Sequence, residues 1–301
     1  MITPDRMHIW LSGSLLLFFA CQLNGQIDQR QAPLFKVHVE TAFVKVAVSD
    51  SLNRLITGLD KDNFKVYEDN VQQTVSHFSQ KSAPISLGII YDISNSMAGN
   101  LMLGKSWFAQ LLRSGDPNPE DEYFLITFNQ KINLAKVFTS KRAELEYEMY
   151  FQKSGGWTAL YDAVYRGLDI AKEGKNEKKA LILISDGQDN RSRYRWTEVS
   201  ELAKESNVQI YAIGFGSGGV LNDLATLTGG RAFFPNISLE RIDHYFSLIH
   251  SELRSQYLLG YIPTNSEHNG QWRKIRVELD VPPGLPKLKI RTRTGYYAPK
   301  N

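Results

Sequence analysis

Cysteine is almost missing from this chain: Cys21 is the only one in 301 residues, so no disulfide can form within the chain. Long hydrophobic runs are equally scarce. The clearest one, IWLSGSLLLFFA from Ile9 to Ala20, holds about a dozen residues and is too short to span a bilayer comfortably. No block of one charge sign stands out, and 35 basic residues against 32 acidic ones leave a net charge of +3. A nucleic-acid partner therefore lacks its electrostatic footprint. The mixed-sign stretch AKEGKNEKK at 171–179 reads as a solvated helix end and loop. The six histidines are scattered without zinc-ligand spacing. The glycines of GFGSGG (214–219) lack both the Lys-Ser/Thr ending of a P-loop and the spacing of a dinucleotide fingerprint. No G-x-S-x-G nucleophile motif occurs, nor any internal repeat or low-complexity segment. What remains, 42% hydrophobic and 22% charged residues, is the composition of an ordinary globular protein.

The apolar run at the N-terminus follows Arg6 and His8 and has the length of a secretory signal core. Cleavage after Gly25 is expected, which makes 1–25 a signal peptide and the protein an exported one, free or anchored in the periplasm or cell envelope. Cys21 directly follows Phe18-Phe19-Ala20. It either leaves with the signal or carries a lipid anchor, although two Phe residues depart from the small-residue pattern of a lipobox. A lipid at Cys21 is the one membrane attachment expected. An exported domain without disulfides must be held by its core, with a metal as a further candidate.

Three regions follow. Residues 33–82 alternate apolar and polar positions in short segments with turn signals at Gly58 and Asp69-Asn70, which predicts β-strands. From Ile85 the pattern changes to fully apolar strands, ISLGIIYD (85–92), EYFLITF (122–128), KALILISD (179–186) and VQIYAIGF (208–215). A shorter strand is expected at 133–138 and another at 231–234. Amphipathic helices are expected near 100–113, 158–172, 196–206, 220–228 and 239–254. This alternation over 84–255 predicts an α/β domain with a doubly wound, mostly parallel sheet covered on both faces. Residues 256–301 return to strand character in YLLGYIP, WRKIRVELDVP and LKIRTRTGYY. Each flank alone is too short to bury a stable core, so the two are expected to pair as a small β-sandwich.

Open α/β sheets bind ligands at the carboxyl ends of their strands, and three oxygen-rich segments fall at such places. Asp92-Ile93-Ser94-Asn95-Ser96 follows the first buried strand, Asp186-Gly187-Gln188-Asp189 follows another, and Gly155-Gly156-Trp157-Thr158 leads into a helix. Alternate spacing in D-x-S-x-S sends a carboxylate and two hydroxyls out of one loop in one direction. A hard cation such as Mg²⁺ takes six oxygens and keeps some of its waters. Two carboxylates balance its charge, and neutral hydroxyls leave it attractive to a further anion, such as a partner's Asp or Glu. Taken singly, Ser94 and Ser96 are equally readable as helix caps and Asp186-Gly187 as a turn. Asp189 is readable as a group hydrogen-bonding the site's waters, or as a solvated turn carboxylate.

DISNSM, GGWTALYDAV and ISDGQD, in that order and context, resemble the metal-ion-dependent adhesion site of von Willebrand factor A domains. The flanking GLDKDNFKVYEDN and QYLLGYIP…GYYAP resemble those of a bacterial subgroup of such proteins. The resemblance implies direct coordination by Ser94, Ser96 and Thr158, carboxylates from Asp92 and Asp186, and a bound Mg²⁺, Mn²⁺ or Ca²⁺. It implies a protein-binding or adhesive role rather than catalysis, and a last helix that moves in some members. Two alternatives stand beside this: a metal that only stabilises an envelope scaffold, and a Mg²⁺-dependent phosphohydrolase. Haloacid-dehalogenase-like enzymes, which such a phosphohydrolase would resemble, need a second acid two residues after the first, where this chain has Ser94.

Overall fold

The computed structural model describes residues 41–300 except 81, 116–117, 217 and 236–241. The expected signal segment and Cys21 lie outside the described residues. Four strands come first: β1 (Ala42–Ser49), β2 (Phe64–Glu68), β3 (Val71–Gln73) and β4 (Val75–Ser79). The α/β region then runs β5 (Ile85–Asp92), α1 (Leu101–Arg113), β6 (Glu122–Phe128), β7 (Ile132–Thr139), α2 (Arg142–Tyr150), α3 (Leu160–Lys172) and β8 (Lys178–Ser185). It continues with α4 (Trp196–Glu205), β9 (Val208–Gly214), α5 (Gly219–Thr228), β10 (Ala232–Phe233) and α6 (Ile242–Ser255). Four more strands close the chain: β11 (Tyr257–Tyr261), β12 (Trp272–Leu279), β13 (Lys289–Arg291) and β14 (Gly295–Tyr297).

The central sheet has the order β10-β9-β8-β5-β6-β7. All its pairings are parallel except the β6–β7 edge pair. Every residue of β5, β6 and β9 is buried, because helices cover both faces. One face packs Phe108, Leu111, Leu145, Ile249 and Leu253 from α1, α2 and α6. The other packs Leu160, Val164, Leu168, Val199 and Leu224 from α3, α4 and α5. Helix α2 is absent from the sequence-based expectation. Its apolar contribution is the short i,i+4 pair Leu145 and Met149, while Tyr147 and Tyr150 face solvent.

The flanks pair with each other. One sheet has the order β13-β1-β11-β4 and a second the order β14-β12-β2-β3, so each mixes strands from both ends of the chain. Between them lie Val44, Val46, Phe64, Val66, Tyr257, Leu259 and Ile275. LKIRTRTGYY was expected as one strand and is two, β13 and β14, which belong to different sheets. The chain crosses between the sheets at 292–294, where its backbone passes against Gly229.

A polar network lies within this sandwich. Glu68 and Arg273, both nearly fully buried, pair at 3.2 Å, and Glu68 Oε2 accepts the hydroxyls of Tyr261 (2.8 Å) and Tyr296 (2.7 Å). Removing one member of a buried pair leaves the other uncompensated. Glu68→Ala is therefore expected to cost roughly 3–5 kcal/mol by chemical denaturation, and Glu68→Gln markedly less. A cost for Glu68→Ala within the range of surface substitutions would show that Arg273 finds other partners.

Candidate metal centre

Strands β5 and β8 are neighbours, and the sheet grows from them in opposite directions. At a switch point of this kind the loops after the two strands part toward opposite faces, and the crevice between them is where open α/β sheets bind ligands. Asp92 is the last residue of β5, and Asp186 follows the last residue of β8.

Backbone hydrogen bonds tie the first two loops together. Gly155 N–H donates to Ile93 O (2.8 Å), Asn95 N–H donates to Gly156 O (3.0 Å), and Ile93 N–H donates to Phe128 O (2.8 Å). Gly156 has φ +85°, a conformation that favours glycine, and a Cβ there would fall 1.8 Å from Gln130 Oε1 and displace that side chain. That same Gln130 oxygen accepts Trp157 N–H at 2.6 Å, and Asn129 Nδ2 donates to Gly155 O at 2.8 Å.

The third loop is tied to the second. Thr158 N–H donates to Asn190 Oδ1 at 2.9 Å, while Asn190 and Arg191 N–H donate to Thr158 O at 3.0 and 2.9 Å. Thr158 is buried and sits just ahead of α3 rather than at its first residue. Asp189 does not act as a solvated turn group. Its Oδ1 accepts Ser192 Oγ–H (2.5 Å) and Tyr161 N–H (3.3 Å), which ties this loop to the first turn of α3.

Asp92 is 0% exposed. Its Oδ1 accepts Ser94 N–H at 2.8 Å and its Oδ2 accepts Ser185 Oγ–H at 2.7 Å. The Ser185 oxygen in turn accepts Gly187 N–H at 3.0 Å, so Ser185 spans the crevice from β8 to β5. Ser185, Asn190, Asn129 and Gln130 were not singled out from sequence. Their roles arise from contacts between loops, although Ser185 lies inside the ISDGQD motif. Ser94 occupies the cap position of the 3₁₀ turn 95–100 but makes no side-chain capping bond. Its hydroxyl instead lies 3.1 Å from that of Ser96. Ser94 is buried, Ser96 exposed and Asp186 half-buried, and Asp186 Oδ1 accepts Gln188 N–H at 3.0 Å as in an ordinary Asx turn.

Burial pushes the Asp92 carboxyl up to about 6; hydrogen bonds from Ser94 and Ser185 pull the other way, and the Asp186 charge adds to the rise. No basic side chain is among its main influences. A buried carboxylate facing a second one, beside paired hydroxyls, has the donor chemistry of a hard oxygen-liking cation. Asp186 is the charged neighbour whose influence on Asp92 is felt, and among the described residues no group of three or more His, Cys, Asp or Glu is placed to hold a metal ion.

Residues 86–243 match the sequence pattern of the von Willebrand factor type A domain, which is just over half of the chain. The chain belongs to that family. A von Willebrand factor A domain marks it as a module of the protein-interaction or adhesion type, and such domains often bind a divalent metal. No curated protein matches the full sequence significantly. Among solved structures, an aerotolerance-related membrane protein from Bacteroides fragilis is 16% identical, with a TM-score of 0.46 over 56% of this chain and 98% of its own. BatB from Bacteroides thetaiotaomicron is 18% identical, with a TM-score of 0.45 over 56% and 98%. The PilB minor pilin of Streptococcus sanguinis is 14% identical, with a TM-score of 0.44 over 59% and 63%. The family assignment rests on the sequence match.

Because burial pushes the folded Asp92 carboxyl up to about 6, above its ordinary value of 3.8, its neutral form favours folding. That contribution is complete below about 4 and is lost as pH rises through about 6. Cation-free protein should therefore lose stability across this window, by an amount on the order of 2–3 kcal/mol. Asp92→Asn should flatten that slope. Matching slopes in denaturation curves of both proteins would mean that Asp92 is not the group responsible.

Proposed function

We propose that this chain is an exported protein-binding module of the von Willebrand factor A family that uses a divalent cation to capture a carboxylate on a partner protein. The observation that carries this reading is the buried Asp92 carboxylate, lacking a basic partner and set beside the Ser94–Ser96 hydroxyl pair. Ser94, Ser96 and Thr158 would hold the ion through hydroxyls, with Asp92 and Asp186 balancing its charge. Mg²⁺ suits this donor set best, ahead of Mn²⁺ or Ca²⁺. When bound, such an ion supplies a positive centre with a position left for a partner's Asp or Glu.

The chain's own residues contribute rigidity and selectivity. The cross-linked loops hold the three hydroxyls in place before any ion arrives, and the buried Asp92 favours a cation over water in the crevice. The role is binding rather than catalysis, since Ser94 stands where a phosphoryl-transferring aspartate site needs its second acid. Phosphatase activity is accordingly expected at background. Export is supported by Arg6 and the Ile9–Ala20 run, with Cys21 as the candidate lipid anchor. Among the described residues no helix is long and apolar enough to cross a membrane.

One observation favours a purely structural ion: Asp92 is wholly buried and bridges the two central strands through Ser185. Ser96 separates the readings because its side chain is exposed and its loss should not disturb the fold. Calorimetric titration with Mg²⁺ should show one saturable site that is lost in Asp92→Ala and weakened about tenfold or more in Ser96→Ala. Absence of any Mg²⁺, Mn²⁺ or Ca²⁺ binding, with or without acetate as a carboxylate source, would remove the ion from the function. Ion binding that raises stability yet leaves acetate without effect would favour the structural reading.

A further inference from the structure

Several large hydrophobic side chains are exposed on the elements that adjoin the crevice. Tyr150 is 72% exposed, Trp157 65%, Phe151 58% and Met102 78%. These residues lie in neighbouring elements, at the start of α1, the end of α2 and the Gly-Gly loop. Lys105 on α1 donates to the carbonyls of Tyr150 (2.7 Å) and Gln152 (2.8 Å), which ties the end of α2 to the helix that follows Ser94–Ser96. Met102 is one turn before Lys105 on the same helix face. Thr127 Oγ–H donates to Gln152 Oε1 at 3.2 Å, which puts the end of α2 at the same strand-end rim as Asp92. Trp157 is adjacent to Thr158, and its backbone is pinned by Gln130.

Two of these aromatics pack on each other. The Tyr150 and Phe151 rings meet edge to face at 5.2 Å. Basic groups lie close, with Lys105 5.9 Å from the Tyr150 ring centroid and Lys153 exposed, while two of the three α2 acids, Glu144 and Glu146, are paired with Lys136 and Arg113 and the third is Glu148. Rigid exposed aromatics are the side chains that anchor protein interfaces, and their prior ordering lowers the entropy cost of docking.

We infer that Tyr150, Phe151, Trp157 and Met102 form the second half of the partner contact, reading an aromatic or large aliphatic side chain within a few residues of the partner's acidic group. The occupant is thus an acidic protein segment with an apolar neighbour beside its carboxylate. This rests on the cation–carboxylate reading above.

Three pools of synthetic Gly/Ser peptides test it by fluorescence anisotropy in Mg²⁺. The first carries one Asp; the second carries Asp plus Phe, Trp or Leu at each of three positions on either side; the third replaces Asp by Asn in the second. The second pool is expected to bind about tenfold more tightly than the first. That preference should disappear in Phe151→Ser/Trp157→Ser while the Mg²⁺ titration of this variant stays unchanged. Equal, Mg²⁺-dependent binding of the first two pools would overturn the aromatic contact and leave the cation reading standing. Equal binding of the second and third pools, insensitive to chelator, would overturn the cation reading and with it the two-part contact. A double variant that keeps the preference would place the apolar recognition elsewhere and sink the inference.

Discussion

Asp92 is a carboxylate kept out of solvent at the point where the two halves of the central sheet diverge. Burying such a group is costly unless it is hydrogen-bonded and its charge is met. Ser94 and Ser185 supply the hydrogen bonds, and no basic side chain is among the main influences on the charge. Much of the local structure follows from this. Ser185 turns its hydroxyl across the crevice, Gly187 N–H completes the Ser185 oxygen, and the chain after β8 is held at the height of the chain after β5. The same constraint separates the site from an ordinary helix cap, in which the Ser94 hydroxyl would be spent on backbone N–H groups.

Cross-linking of the loops serves that carboxylate as well as any ligand. A loop that carries an ion ligand on flexible backbone loses entropy when the ion arrives. Here that cost is largely met on folding, by the Ile93–Gly155 and Asn95–Gly156 bonds and the pairing of Thr158 with Asn190 and Arg191. Gly156 permits the close approach, and Gln130 takes the space a side chain would need. The result is a rim whose polar centre is buried and whose border is exposed aromatic surface, so order and accessibility coexist within a few residues.

The β-sandwich sets the boundary conditions for the last helix. Entry to the α/β region through β4 and exit through β11 are adjacent, since Ser79 pairs with Leu258 in one sheet. Only Gln256 separates α6 from β11. Glu252 of α6 is fully buried and receives Arg291 of β13 at 2.6 and 3.2 Å, while Lys178 donates to the carbonyls of Leu253 and Arg254. A displacement of α6 along its axis would have to break that ion pair or carry the sandwich with it. The Glu252–Arg291 pair thus couples the position of α6 to that of the flanking module.

Much of the fold was legible because its signals are local. Eight consecutive buried residues in β5 and the i,i+3/i+4 apolar rows of α3 and α6 leave a periodic trace in one stretch of sequence. The D-x-S-x-S loop was legible for the same reason, since its donors are two residues apart. Helix α2 was not, because its two buried side chains make too short a row and its tyrosines face outward. Nor was the break between β13 and β14, which depends on which sheet each half meets. Ser185, Asn190, Asn129 and Gln130 act on residues at least 26 positions away, a distance at which sequence spacing says nothing about contact. The candidate ion ligands of the motif are thus readable from local pattern, whereas the groups that hold their loops in place are readable only from the fold. It follows that two chains sharing the motif can differ in affinity through residues the motif does not contain.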